Sequence, residues 1–443
     1  MKRQLSNSLY GLLDYAAYPV GMLVVAPVVL RNLGTASYGA WTIATAAANI
    51  GAIVASGFGD AIIQQVATRR ANGVRDQLFR IVRSAIAIHL VLGLVVSAVL
   101  WLLAPYLAGR LALADPGFQS ICLSSTRIAA ILVFIRAIET VCISVQRGFE
   151  RYGSAVRVTV AARLFSLLAA VMLASGSYSV TSIMATTTGI AFLGLAIQIM
   201  LLRRLLDIDS FRPTFDPAST RELFDFGKFT WILAITSVVF SQSDRIIGGA
   251  AVGASAVVAY ALCAQIAQPV YGLTAAGLHF LFPYIAFQRA TGTPAALRRI
   301  VLGSLLVNVL LVAAGVALLL VFSGPLLRLL ATDAVARACA PLLPGVVASS
   351  GILALTVSGS YAMLALGHVR SLTIINVAAG FAMFLVTLQL LSREGVWALV
   401  DARLAFALVA ALIYIPLLRS LGFGRLNSRS SSMESRLAGG EGA

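Results

Sequence analysis

Charge is scarce in this chain. Only 11% of its 443 residues are charged, against about 25% in a soluble domain, and the mean hydropathy is +0.93. So few charges cannot coat a water-facing surface of this size, which excludes a soluble globular protein. Lysine is nearly missing, present only at Lys2 and Lys228, so the net charge of +16 is carried by arginine. The four cysteines, Cys122, Cys142, Cys263 and Cys339, have no paired spacing. Neither a disulfide framework nor a metal site is expected from them, and no cofactor is implied. No nucleotide-binding glycine loop, HExxH helix or spaced carboxylate pair occurs. No polar gap is long enough for a catalytic domain, the longest on the outer side being 323–339. These absences argue against a membrane polysaccharide polymerase or a lipid-linked glycosyltransferase, and the expectation is that the chain is not an enzyme.

What fills the chain is apolar sequence. Runs of roughly 20 residues recur along it, each long enough to cross about 30 Å of hydrocarbon. Every backbone amide in such a run must bond internally, so the runs are helices. Twelve spans are read: 8–30, 40–62, 84–107, 118–146, 156–175, 179–202, 228–250, 256–287, 299–322, 340–366, 371–391 and 396–418. The first follows MKR, is too long for a cleaved signal peptide and lacks an A-x-A cleavage site, so it is read as a retained helix. Of the 33 basic residues, 23 fall in the inner gaps and flanks and 7 in the outer ones. This bias places both termini in the cytoplasm, and it makes the net charge an orientation signal rather than a sign of nucleic-acid binding. A modest attraction to anionic membrane lipids accompanies it.

The chain also repeats itself. Gly57 and Arg69 in GFGDAIIQQVATR have partners Gly277 and Arg289 in GLHFLFPYIAFQR, and Gly148 and Arg151 in VQRGFER have partners Gly367 and Arg370 in LALGHVR. A nearly constant offset of about 220 residues in an apolar chain predicts two similar bundles with a site at their seam, the build of a secondary transporter. The expected fold is all-α and integral to the membrane: about 12 transmembrane helices in two six-helix repeats around a central cavity. The expected organisation is an N-terminal bundle over 1–205, a cytoplasmic linker over 206–227, a C-terminal bundle over 228–420 and a polar, disordered cytoplasmic tail over 421–443.

Charges inside the spans are costly and therefore candidates for function. Arg136 and Glu139 in the fourth span are three residues apart, on one helical face where they can pair. They serve either as a buried pair that holds the bundle or as groups of the cavity. Arg127 lies nine positions earlier, about half a turn round the helix. Asp244 and Arg245 follow Ser241, Gln242 and Ser243, a stretch too polar to face lipid, although Arg245 could instead snorkel to the outer interface. Asp14 sits one or two turns into the first span beside Tyr15, Tyr18 and Pro19. Pro19 removes a backbone hydrogen bond and should bend this helix, as a gate or as a static kink. Asp60 and Arg163 are expected to reach the inner interface, and His89 and His279 are read as packed polar residues. Gly34, Gly39, Gly253 and Gly148 are placed where helices end and positive φ is favoured.

Several segments taken in order and spacing carry a family resemblance: RNLGTASYGAWTIA after the first span, AAVGASAVVAYALCAQIA after the seventh, FSQSDRIIGGAAVG before it, VQRGFERYGSAVRV between spans four and five, and ELFDFGKFTW at the centre. Together they resemble the polysaccharide branch of the multidrug/oligosaccharidyl-lipid/polysaccharide (MOP) exporter superfamily, whose members include Wzx-type flippases. The resemblance implies a flippase or exporter in the bacterial inner membrane. Such a protein moves a polyprenyl-diphosphate-linked oligosaccharide by alternating access, for O-antigen of lipopolysaccharide or for exopolysaccharide. It also supports an acidic residue at Asp244. Arg136, Glu139, Asp244, Arg245, Arg127 and Asp14 are then the substrate-cavity candidates, and Pro19, Gly34 and Gly253 the gating or kink positions. Proton or sodium coupling, a polysaccharide polymerase and a chain-length regulator are the partners such a role brings. The competing reading is a multidrug efflux antiporter, whose cavity would favour carboxylates and aromatics over arginines.

Overall fold

The computed structural model describes residues 2–73, 75–111, 116–207, 212–252, 254–330 and 333–421. Gly253 and residues 422–443 lie outside the described residues, as do the side chains of Pro19, Asp244 and Arg245. The described chain is helical, with no strand among the described residues. Ten stretches in it are long and apolar enough to cross a membrane. This is a multi-pass membrane protein.

The helices run α1 Lys2–Ala55, α2 Gly59–Asn72, α3 Arg75–Leu111, α4 Pro116–Gly148, α5 Tyr152–Ser175, α6 Val180–Leu206 and α7 Pro217–Val252. They continue with α8 Ala254–Leu278, α9 Leu281–Thr291, α10 Pro294–Leu330, α11 Asp333–Ala365, α12 Val369–Glu394, α13 Trp397–Ala410 and α14 Tyr414–Ser420. The sequence repeat reappears as matched lengths: α3 and α10 have 37 residues each, and α4 and α11 have 33 each. In each half a short helix, α2 or α9, precedes the long one.

Two boundaries differ from the sequence reading. The first two spans were read as separate, and α1 is two helices that meet across a kink at Gly34, with Gly39 inside the second. The only break is Gly34, at φ 78 and ψ 173, a backbone conformation open to glycine and strained for other residues. The second and eighth spans end early, because turns at 56–58 and 279–280 redirect the chain into α2 and α9. Gly148 ends α4 for a reason other than positive φ: a Cβ there would stand 2.7 Å from Val66 and 3.2 Å from the Ile63 carbonyl. Close helix approach is what this position requires.

The chain divides into two compact units, Met1–Val239 with Ala276–Thr291, and Phe240–Ala275 with Gly292–Ala443. In the first unit α4 is central, packing on α1, α2, α3 and α6. Small residues bring the helices close: a Cβ on Gly51 would meet Val133 at 2.7 Å, and one on Gly93 would meet Ala137 at 2.7 Å. The start of α7 docks on the turn between α1 and α2, where Thr230 Oγ1 donates to Gly57 O (2.9 Å) and Trp231 Nε1 to Val54 O (2.8 Å). In the second unit Tyr260, Cys263, Cys339, Leu343, Val346 and Leu399 form the core shared by α8, α11 and α13. The four cysteines are all free and buried.

Candidate functional site

The densest polar cluster described lies in the first unit, around the first helix. Asn7 and Asp14 are seven residues apart in α1, two turns on one face. Asp14 accepts from two guanidinium groups at once. Arg147 Nη2, in the last turn of α4, reaches Asp14 Oδ2 at 2.9 Å. Arg163 Nη1, in α5, reaches Asp14 Oδ1 and the Asp14 carbonyl, both at 2.7 Å. The side chains of Asp14, Arg147 and Arg163 are 16%, 22% and 30% exposed, so the triad is not sealed inside the bundle.

A second ion pair lies beside it. Asn7 Nδ2 donates to Glu150 O at 3.2 Å. Glu150 takes a left-handed φ of 58, which turns the chain from α4 into α5. Its carboxylate receives Arg70 Nη2 at 2.9 Å, and Arg70 also donates to Gly148 O. The Arg70 guanidinium sits 4.5 Å from the Phe287 ring centroid and 5.8 Å from that of Phe149. Tyr152 closes the group: its hydroxyl meets His279 Nδ1 at 2.8 Å and donates to His279 O at 3.2 Å. The Arg147 guanidinium lies 5.6 Å from the Tyr152 ring centroid. Two carboxylates, Asp14 and Glu150, therefore bind three guanidinium groups, Arg70, Arg147 and Arg163.

The other sequence candidates separate. Arg136 and Glu139 form an ion pair within α4, with Glu139 3% exposed and its Oε1 lacking a hydrogen bond among the described residues. Arg127 stands 5.3 Å from the Trp101 ring centroid of α3. Nine residues apart on one helix, Arg127 and Arg136 point to opposite sides. Pro19 falls inside α1 and Asp244–Arg245 inside α7, with their side chains outside the described residues.

Sequence reasoning expected Arg163 at the inner interface and did not single out Arg147. Both bind Asp14, 133 and 149 residues away in sequence. The available signal was Arg163 itself, a cation within a predicted span, which calls for a counter-ion. Asp60 is likewise separated from Arg69 and Arg70, which pair with Glu222 and Glu150 respectively. No group of three or more metal-ligating side chains occurs among the described residues.

Comparison with known proteins gives a family and a fold. A family model described as polysaccharide biosynthesis protein matches residues 7–287. No curated protein matches. Among solved structures, a mutant MATE transporter of Vibrio cholerae is similar at TM-score 0.79 and 19% identity, covering 95% of this chain and 97% of that one. A MOP superfamily transporter from Pyrococcus furiosus, described as having a binding pocket of reverse polarity, is similar at TM-score 0.75 and 12% identity over 95% and 96% of the two chains. An outward-facing multidrug resistance MATE transporter gives TM-score 0.75 and 13% identity over 98% and 96%. At these identities the likeness is one of fold.

Proposed function

The chain belongs to the polysaccharide biosynthesis protein family, and from that premise we propose that it is a flippase moving a polyprenyl-diphosphate-linked oligosaccharide across the bacterial inner membrane. The observation that carries this reading is Asp14 held between Arg147 and Arg163 in the first unit. Neither a diphosphate nor a glycan crosses hydrocarbon unaided, because both would lose their hydration. Two guanidinium groups converging on one carboxylate can grip a diphosphate by the same paired, charge-assisted hydrogen bonds. In this reading the substrate competes with Asp14 for those donors. The competition keeps binding moderate, so the anion can be released on the far side. Protonation of Asp14 or a sodium ion beside it would tilt the exchange, which is where a coupling ion acts. Arg136, Glu139, Arg127, Asp244 and Arg245 serve as further groups along the path, and Pro19, Gly34 and Gly253 as bending points for alternating access. Both termini face the cytoplasm, with membrane lipids around the helices and a polymerase and chain-length regulator downstream. The chain performs no catalysis of its own.

The test is a bacterial strain whose surface polysaccharide depends on this chain. Arg147→Ala with Arg163→Ala is expected to abolish the polymer at unchanged protein level, and Arg136→Ala with Arg245→Ala to reduce it. Normal polysaccharide in all these variants would defeat the reading. The multidrug alternative predicts drug resistance on overexpression instead.

A further inference from the structure

A groove of about 790 Å³ runs along the outside of the first unit between α5 and α6. Its floor is made of small residues: a Cβ on Gly194 would stand 3.4 Å from that of Ala162, so the two helices nearly touch there. Its walls are Phe165, Leu168, Met172, Leu193 and Ile197, all of them exposed. At 1.5 Å per residue the lining covers about 27 Å of α5, Ser154–Met172, and about 17 Å of α6, Ile190–Leu201, so α5 carries it across nearly the whole hydrocarbon thickness of about 30 Å. An acyl chain from one leaflet reaches only about half that depth.

The charge is confined to one end. Arg157 is the one charged residue of the lining, and Leu201, which closes that end on α6, is followed by exposed Arg203 and Arg204. Arg157 spends its Nε on Gly153 O at 2.9 Å, and its Nη groups make no bond among the described residues. At the other end the connection 176–179, Gly-Ser-Tyr-Ser, has no charge. Two phospholipids, one from each leaflet, would place a headgroup at both ends. The groove instead suits one anionic headgroup at the inner interface and one chain of near-membrane length.

We propose that the α5–α6 groove binds the isoprenoid tail of the polyprenyl-diphosphate substrate, with Arg157 at its phosphate end. The proposal rests on the flippase reading and adds to it where the tail lies while the headgroup enters. The open lipid-facing stripe lets the tail remain in the membrane without crossing the protein interior.

The experiment uses the full chain in nanodiscs of zwitterionic phospholipid. The probe is a long-chain polyprenyl diphosphate with a diazirine in the distal part of its tail, and crosslinked peptides are read by mass spectrometry. The expected result is labelling at Phe165–Met172 and Ile190–Ile197 about tenfold above that on the lipid-exposed face of α10 around Leu306 and Leu310, the factor that 1.4 kcal/mol gives. Ala161→Phe with Ala169→Phe, both half-buried positions that line the groove, is expected to remove the excess, and either single change serves if the pair does not fold. Arg157→Ala should raise the half-labelling concentration about tenfold, as loss of a charge-assisted hydrogen bond does. Unlabelled polyprenyl diphosphate should compete and phosphatidylglycerol should not. Equal labelling of α10, an excess that survives the filled groove, or equal competition by phosphatidylglycerol would overturn the proposal. Binding of the same lipid to the whole protein is measured separately by native mass spectrometry. Binding with labels outside the groove overturns only the groove, whereas no binding at all overturns the flippase reading as well.

Discussion

Removing the Asp14 carboxylate should expose how strongly the triad couples α1 to α4 and α5. Its two partners stand at 2.9 and 2.7 Å. Deleting one member of a fully buried pair costs about 3–5 kcal/mol, because the other charge stays buried and unpaired. These side chains are 16–30% exposed, and water discounts the figure to about 2 kcal/mol. Asp14→Ala and Arg163→Ala should each lose about that much. The double variant should lose far less than the sum, since the second deletion removes a charge the first had orphaned. Residues in one network typically couple by about 0.5–3 kcal/mol. Unfolding free energies from denaturing-detergent titration of all four proteins in micelles give the coupling directly. Additivity within about 0.5 kcal/mol would refute the argument, because independent sites behave that way.

Gly34→Ala should destabilise by about 1–3 kcal/mol through backbone strain alone, since a Cβ there meets nothing within 4 Å; an unchanged melting temperature would contradict it. Gly148→Ala should cost a similar amount for the opposite reason, a clash with Val66 at 2.7 Å, and a paired Val66→Ala should recover part of it in the same melting assay. Tyr152→Phe removes a hydroxyl bonded to His279 and should cost about 1 kcal/mol, read by the same titration. Asp216 caps α7 by accepting from Ser219 N at 2.9 Å, and hydrogen bonding from the Ser219 side chain, then from its backbone N–H, holds its carboxyl below the usual carboxylate range. A depressed folded value means the contribution is complete above the unfolded value of about 3.9 and is lost as pH falls through the folded one. Proteolysis at 217–222 should therefore rise below that range in the native protein and be independent of it in Asp216→Ala.

The spans were legible because each apolar run must be a helix in lipid, and the repeat because glycine and arginine landmarks return at matched places. The turn at 176–179 was readable from its residues alone, and Ser179 indeed caps α6 by accepting from Ser182 N. Gly34 was located as a breakpoint between the first two spans, and the kink falls there, on a single glycine at positive φ. The short helices α2 and α9 were hidden inside longer apolar runs, since composition does not record where a buried chain turns. At the site, Asp14 was visible as a costly charge. Its partners were not, because Arg147 and Arg163 meet it through tertiary packing of α1 on α4 and α5. Both also carry the composition of interface anchors.

The central claim is that this chain carries a lipid-linked oligosaccharide across the membrane with Arg147 and Arg163 as its grip. The most direct measurement is the leaflet distribution of lipid-linked oligosaccharide in cells lacking the chain, read by accessibility of the glycan to an impermeant reagent from the periplasmic side. The account predicts that the lipid-linked units accumulate unlabelled on the cytoplasmic leaflet, that the native chain restores labelling, and that Arg147→Ala with Arg163→Ala does not. Full labelling in cells without the chain, or full restoration by the double variant, would contradict it.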